Sequence, residues 1–132
     1  MGQLKLPTDV LYGIQTFRAI QNFPVTVQSP QKEFIQAYAV VKKCAAQANL
    51  KTGELALNIA KPIIDTSTEI ISGKHHEHFV VDRLANITSF NMNMNEVIAN
   101  RALELAGNSR GAYHVIHPND HVNMSQSSND TF

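Results

Sequence analysis

Two stretches of this sequence gather polar side chains of the kind that hold small anions. The first is Thr88-Ser89-Phe90-Asn91-Met92-Asn93-Met94-Asn95-Glu96. It stands directly before an apolar helical pattern, and the first N–H groups of a helix have no internal partners. Hydroxyls and amides beside such N–H groups make a site for a carboxylate or phosphate. The same residue types are also ordinary helix caps, so spacing alone leaves both readings open. The second stretch is His117-Pro118-Asn119-Asp120-His121-Val122-Asn123, followed by Ser125-Gln126-Ser127-Ser128-Asn129-Asp130. Its neutral donors and acceptors suit a small carboxylate held by hydrogen bonds, and equally suit an exposed polar turn.

Other reactive residue types carry less. His75, His76 and His78 beside Glu77 invite a metal reading. Zinc needs three or four ligands with supporting partners, and no fixed group elsewhere completes this set. A solvated loop is therefore expected, and no metal site is assigned. Cys44 is the only cysteine, which excludes an internal disulfide and a cysteine zinc cluster. It lies near the apolar side of a helical pattern and is expected as a small core residue in a reducing, cytoplasmic setting.

The elements that must position these groups are helical. Ser29-Pro30 reads as a helix start, with Ser29 as N-cap and Pro30 in the first turn. Phe34, Tyr38, Val41, Ala45 and Ala48 then fall on one helical face, and Gly53 ends the helix. A further pattern carries Leu55, Ile59, Ile63, Ile70 and Ile71 and closes at Gly73. Pro62 lies inside it and predicts a break or kink. Before these, Val10 to Phe23 is apolar, with Gly13 loosening it. Lys74 to Ser89 reads as loop, a helix is expected from about Asn93 to Ala106, and Tyr113 to Ile116 suits a short extended segment. With 132 residues, 43% of them hydrophobic, the chain suits one small globular domain. Eleven basic side chains balance eleven acidic ones, which gives no general pull toward nucleic acid or an acidic membrane. No apolar run is long enough to span a bilayer, and Met1 to Pro7 is not a signal peptide.

Taken in order, several motifs resemble one family. Asp9-Val10-Leu11-Tyr12-Gly13-Ile14-Gln15-Thr16, Arg18-Ala19 and Asn22-Phe23-Pro24 are similar to the amino-terminal signature of the aspartase/fumarase superfamily. Val41-Lys42-Lys43 and Asn91-Met92-Asn93-Met94-Asn95-Glu96-Val97-Ile98-Ala99-Asn100-Arg101-Ala102 continue the likeness. His117 to Asp120 and Ser125 to Asp130 complete it, so it covers nearly the whole chain. Tyr12 to Thr16, Asn22-Phe23-Pro24 and Val41-Lys42-Lys43 look more like the aspartases, whereas Ser128 and His117 to Asp120 look like class II fumarases.

The resemblance implies a mainly α fold: the N-terminal helical domain of these lyases, spanning 1–132 without the central helical bundle. The implied reaction is the reversible elimination of ammonia from L-aspartate to give fumarate, with no cofactor. Such a reaction builds charge on a carboxylate next to the carbon that loses a proton, and fixed donors stabilise that charge. By resemblance, Thr88, Ser89 and Asn91 bind substrate at one end, and Ser127, Ser128 and Asn129 hold the other. His117, Asn119 and Asp120 match a secondary anion site. A homo-oligomer is implied as well, a tetramer in the full-length family.

Two departures stand out. Family members place Gly-x-Gly before the Thr-Ser pair, whereas Asp82-Arg83-Leu84-Ala85-Asn86-Ile87 holds no glycine and is shorter. The family's serine base and its neighbours match nothing in this sequence, so no catalytic residue is assigned and the chain alone is expected to be inactive. The alternatives are a piece of a class II fumarase, or a non-catalytic module that binds a dicarboxylate or a partner chain. Nucleic-acid binding ranks behind both.

Overall fold

The structure is a computed structural model and describes residues 10–22, 32–80 and 87–124. Four helices account for most of it: α1 Ile14–Asn22, α2 Lys32–Lys51, α3 Leu57–Ile71 and α4 Ile87–Leu105. A 3-10 turn at His76–His78 and a π-helical turn at Pro118–Val122 complete it. Among the described residues there is no strand, and no helix is long and apolar enough to cross a membrane.

The expected start of α2 at Ser29-Pro30 lies outside the described residues. Its end is as expected: Gly53 takes a positive φ of 83°, and the Glu54 N–H reaches back to the Asn49 carbonyl at 2.8 Å. Its inward face differs from the expected one. Ile35, Tyr38, Ala39, Lys42, Ala46 and Asn49 are buried, while Ala48 is exposed. The stripe is rotated by about one residue from Phe34-Tyr38-Val41-Ala45-Ala48, because two of its members are polar. Cys44 is likewise exposed rather than packed in the core.

The turn 52–56 folds α3 back along α2. Gln36, near the start of α2, donates to the Ile71 carbonyl at the end of α3, so the pair runs antiparallel. Pro62 does not break α3, which is continuous from Leu57 to Ile71. It sits near the helix start and removes only the N–H that would bond Asn58.

The loop expected up to Ser89 is shorter than that. α4 begins at Ile87, so Thr88, Ser89 and Asn91 lie within its first turns rather than ahead of it. Nor is Tyr113–Ile116 extended, since turn bonds such as Val115 N–H to the Ala112 carbonyl curl it.

α4 is the central element and is buried along nearly its whole length. Phe90, Met94, Val97, Ile98, Ala102 and Leu103 pack with Tyr38, Ile63, Ile70, Phe79 and Ile116 in one core. Aromatic rings fill its upper part, with Phe90 centred 4.8 Å from Phe34, 5.0 Å from Tyr38 and 6.0 Å from Phe79. A helix buried all round has no solvent face for polar residues. Asn91, Asn93, Asn95, Glu96 and Asn100 are nevertheless all buried. Most of them tie α4 to another part of the chain.

Candidate functional site

Burying a polar group is tolerable only when its hydrogen bonds are replaced inside the protein. On α4 the replacements radiate outward. Asn93 accepts from the Val80 N–H at 2.9 Å and donates to the His78 carbonyl at 3.1 Å, which fixes the segment after the 3-10 turn. Asn100 donates to the Leu11 carbonyl at 2.6 Å and accepts from the Gly111 N–H at 2.8 Å. Arg101 pairs with Glu69 of α3 at 2.9 Å and holds that carboxyl below its ordinary range, with His75 assisting from 2.7 Å.

Glu96 makes the most concentrated set of contacts. Its Oε1 accepts from the Gly13 N–H at 3.1 Å, the Thr16 N–H at 2.8 Å and the Thr16 hydroxyl at 2.6 Å. Its Oε2 accepts from the Gln15 N–H at 3.1 Å. These are the unsatisfied donors at the start of α1, whose cap position is Gly13: the Phe17 N–H bonds the Gly13 carbonyl. A glycine cap has no side chain to supply, so a carboxylate from α4 does the capping and complements the helix dipole. Gly13 is needed for closeness: a Cβ there would lie 2.5 Å from Glu96 Oε2 and 2.6 Å from Tyr113 Oη. Burial pushes the Tyr113 phenol up to about 12, with Asn100 opposing and the Glu96 charge adding to the shift.

The second concentration of polarity lies where α2, α4 and the segment after the π-helical turn meet. Lys42 is 0% exposed. Its Nζ donates to Asn91 Oδ1 at 2.8 Å and to Asn123 Oδ1 at 2.9 Å. Asn91 Nδ2 donates to Asn123 Oδ1 at 3.2 Å, and the Tyr38 hydroxyl donates to Asn91 Oδ1 at 3.0 Å. The Tyr38 ring centre lies 5.7 Å from the ammonium. Burial lowers the Lys42 pKa to about 7.

Of the residues expected to bind substrate, Asn91 therefore faces Lys42. Ser89 is buried and Thr88 half-buried in the first turn of α4. Ser127, Ser128 and Asn129 lie outside the described residues, but Asn123, shortly before them in sequence, belongs to the Lys42 cluster. The glycine-free segment 82–86 also lies outside the described residues.

His117 and Asn119 line a different space, a cleft of about 470 Å³ shared with Gln15, Asn95 and Tyr113. Asp120 is exposed beside it. The His117 Nδ1 accepts from the Asn119 and Asp120 N–H groups at 3.0 and 3.1 Å, so the imidazole caps the π-helical turn with donors that an anion would also use. The His121 Nδ1 in turn accepts the His117 N–H at 2.8 Å, and burial lowers its pKa. Of the expected anion-binding residues, His117 and Asn119 line this cleft, and Thr88, Ser89 and Asn91 do not.

The histidines 75, 76 and 78 are engaged separately. His75 meets Glu69, His76 meets the Ile70 carbonyl at 2.9 Å, and His78 accepts the Leu11 N–H at 3.2 Å. His78 is buried rather than solvated. Among the described residues no three potential ligands converge on a metal-sized site.

Comparison with known proteins agrees with this architecture. A lyase family matches residues 2–132. An aspartate ammonia-lyase from a Bacillus species is 48% identical over the whole chain, and a class II fumarate hydratase from Thermus thermophilus is also 48% identical over it. The chain spans 29% of the length of each of these relatives. Among solved structures, a fumarate lyase:delta crystallin from Brucella melitensis superimposes with a TM-score of 0.88 at 47% identity, covering 96% of this chain and 28% of that one. A class II fumarase from Schistosoma mansoni does so with a TM-score of 0.90 at 34% identity, over 98% of this chain and 28% of its own. The chain belongs to the aspartase/fumarase superfamily of lyases and corresponds to the N-terminal domain of that fold.

Proposed function

We propose that this chain supplies dicarboxylate-binding segments of an aspartase-type lyase, whose reaction removes ammonia from L-aspartate to give fumarate. The observation that carries the reading is the meeting of Asn91 and Asn123 at the Lys42 amine. It sets Asn91, in the first turns of α4 with Thr88 and Ser89, against Asn123, which precedes Ser127, Ser128 and Asn129 in sequence. Hydroxyls, amides and N–H groups at the start of a helix are suited to a carboxylate. Membership of the superfamily supports the reaction class. The choice of aspartate rests on Tyr12 to Thr16, Asn22-Phe23-Pro24 and Val41-Lys42-Lys43.

Class II fumarase activity is the second reading, favoured by Ser128 and by the equal identity to relatives of both names. In either case the isolated chain binds without turnover, because a base must reach the substrate proton and no residue here matches the family's serine base. His117 and His121 are engaged in holding the π-helical turn. Association into a homo-oligomer fits the exposed apolar side chains Leu57, Val40 and Leu105.

The test is a titration of the isotope-labelled chain with fumarate, L-aspartate and malate, read from the amides of Thr88, Ser89 and residues 127–129. The expected result is saturable shifts at both segments, with L-aspartate bound in preference to malate. Malate preferred over aspartate would transfer the reading to fumarase, and absence of shifts with all three would overturn it. Turnover, followed at the fumarate absorbance band and abolished by Ser128→Ala, would refute the binding-only role.

A further inference from the structure

The Lys42 cluster has a property that packing alone does not require. A contact between helices needs no charge, and an ammonium is among the most costly groups to take out of water. Lys42 is fully buried and spans three parts of the chain: its own helix, Asn91 of α4 and Asn123 after the π-helical turn. An ammonium has three donors and no acceptor, so it can serve two amide oxygens at once. Both asparagines present their oxygens to it, which leaves their NH₂ groups pointing elsewhere; that of Asn91 bonds Asn123. The Tyr38 hydroxyl fixes the Asn91 oxygen from a second side. Each asparagine is therefore held in one orientation.

The placement in sequence gives this geometry its meaning. Asn91 is one helical turn beyond Thr88, on the same helix face. Asn123 precedes the Ser125 to Asp130 motif. We propose that Lys42 is a positioning residue for dicarboxylate binding, locking Asn91, in the first turns of α4 with Thr88 and Ser89, against Asn123. This deepens the reading above and rests on it. Lys42 acts through the two asparagines.

The test compares Lys42→Met, which keeps the length and removes the donors, with the wild-type chain. Fumarate affinity and the urea midpoint of unfolding are read together. Lys42→Met should lose at least tenfold in affinity while the folded state persists. A matched chemical rescue separates the amine from its bulk: Lys42→Cys in a Cys44→Ser background is alkylated unfolded, then refolded. An aminoethyl group restores the amine at lysine length, and a propyl group restores the shape without it.

Affinity regained with aminoethyl and not with propyl supports the inference; equal affinity in both, or an unaltered Lys42→Met, overturns it. If the wild-type chain binds no fumarate, the reading of function has failed, and amide resonances decide the inference. Changes in Lys42→Met reaching both Thr88-Ser89 and residues 127–129 support it, whereas changes confined to α2 overturn it. Should Lys42→Met not fold, Asn123→Ala takes its place, with a tenfold loss supporting the inference and unchanged affinity overturning it.

Discussion

Replacing Glu96 with glutamine keeps the shape of the side chain and removes its charge, which isolates the role of the carboxylate as the cap of α1. In the native protein it is 3% exposed and accepts four hydrogen bonds, three on Oε1 and one on Oε2. Glutamine has one carbonyl oxygen, which will turn to the side with three donors. Its NH₂ group then faces the Gln15 N–H, so one accepting interaction becomes a meeting of two donors. An unsatisfied buried donor costs about 1–3 kcal/mol, and each remaining bond loses its charge assistance, worth about 1 kcal/mol. Loss of the anion from the helix start adds about 0.3–1 kcal/mol.

Detachment of α1 limits the total, since the helix can let go before the core unfolds. The expected destabilisation is about 3 kcal/mol. Urea unfolding at pH 7 gives the global value, and hydrogen exchange at the Gln15 and Thr16 amides gives the local one. Exchange should accelerate at these amides before it does in α2 or α3. A variant within about 0.5 kcal/mol of wild type, with both amides exchanging at wild-type rates, would refute the capping role.

Three other outcomes follow from the same geometry. Lys42 has a folded pKa of about 7 against an ordinary 10.5, so the unfolded chain binds the extra proton between these values. Stability should therefore rise with pH from about 7, by up to about 5 kcal/mol from this group, and the rise should vanish in Lys42→Met. The rise is to be read below pH 10, since Tyr113 keeps its proton longer when folded and lowers stability above that point. Gly13→Ala places a methyl group against Glu96 and Tyr113, and urea unfolding should show a loss of about 1–3 kcal/mol. Cys44, being exposed, should react fully with a thiol reagent in the native state at nearly the rate seen in urea; protection in the native protein would contradict its placement.

The helical character and the end of α2 were legible because local signals set them. A glycine at a left-handed position ends a helix whatever packs against it. The inward face of α2 was misread by about one position for a specific reason. Its stripe contains Lys42 and Asn49, and a template that counts only apolar residues slides toward Phe34, Val41 and Ala48. The start of α4 was hidden by the same limit. Thr88, Ser89 and Asn91 are cap-forming types, and a helix buried on all sides has no apolar stripe to mark its beginning.

Pro62 does not break α3: at the sixth position it removes one bond, to Asn58, and the helix continues through it. Glu96 carried a signal that could have been used. Asn93, Glu96 and Asn100 recur at spacings of three and four, which places one polar line along the helix. A continuous polar line within a segment this rich in Met, Val, Ile and Ala must be answered by other parts of the chain. Which parts answer is long-range information: Gly13 and Glu96 are 83 residues apart.

That separation has a consequence during synthesis. The residues around Gly13 leave the ribosome first, and Glu96 and Asn100, which bind them, follow more than 80 residues later. At ordinary elongation rates the wait is roughly 4–16 s. α1 has nine residues, too few to be stable as an isolated helix. For that interval its first N–H groups have water as their partner, and its apolar side chains are open to chaperones or to other nascent chains. The α2–α3 pair, closed by its short turn, can form without waiting. Docking of α1 onto α4 must thus wait until Glu96 and Asn100 have emerged.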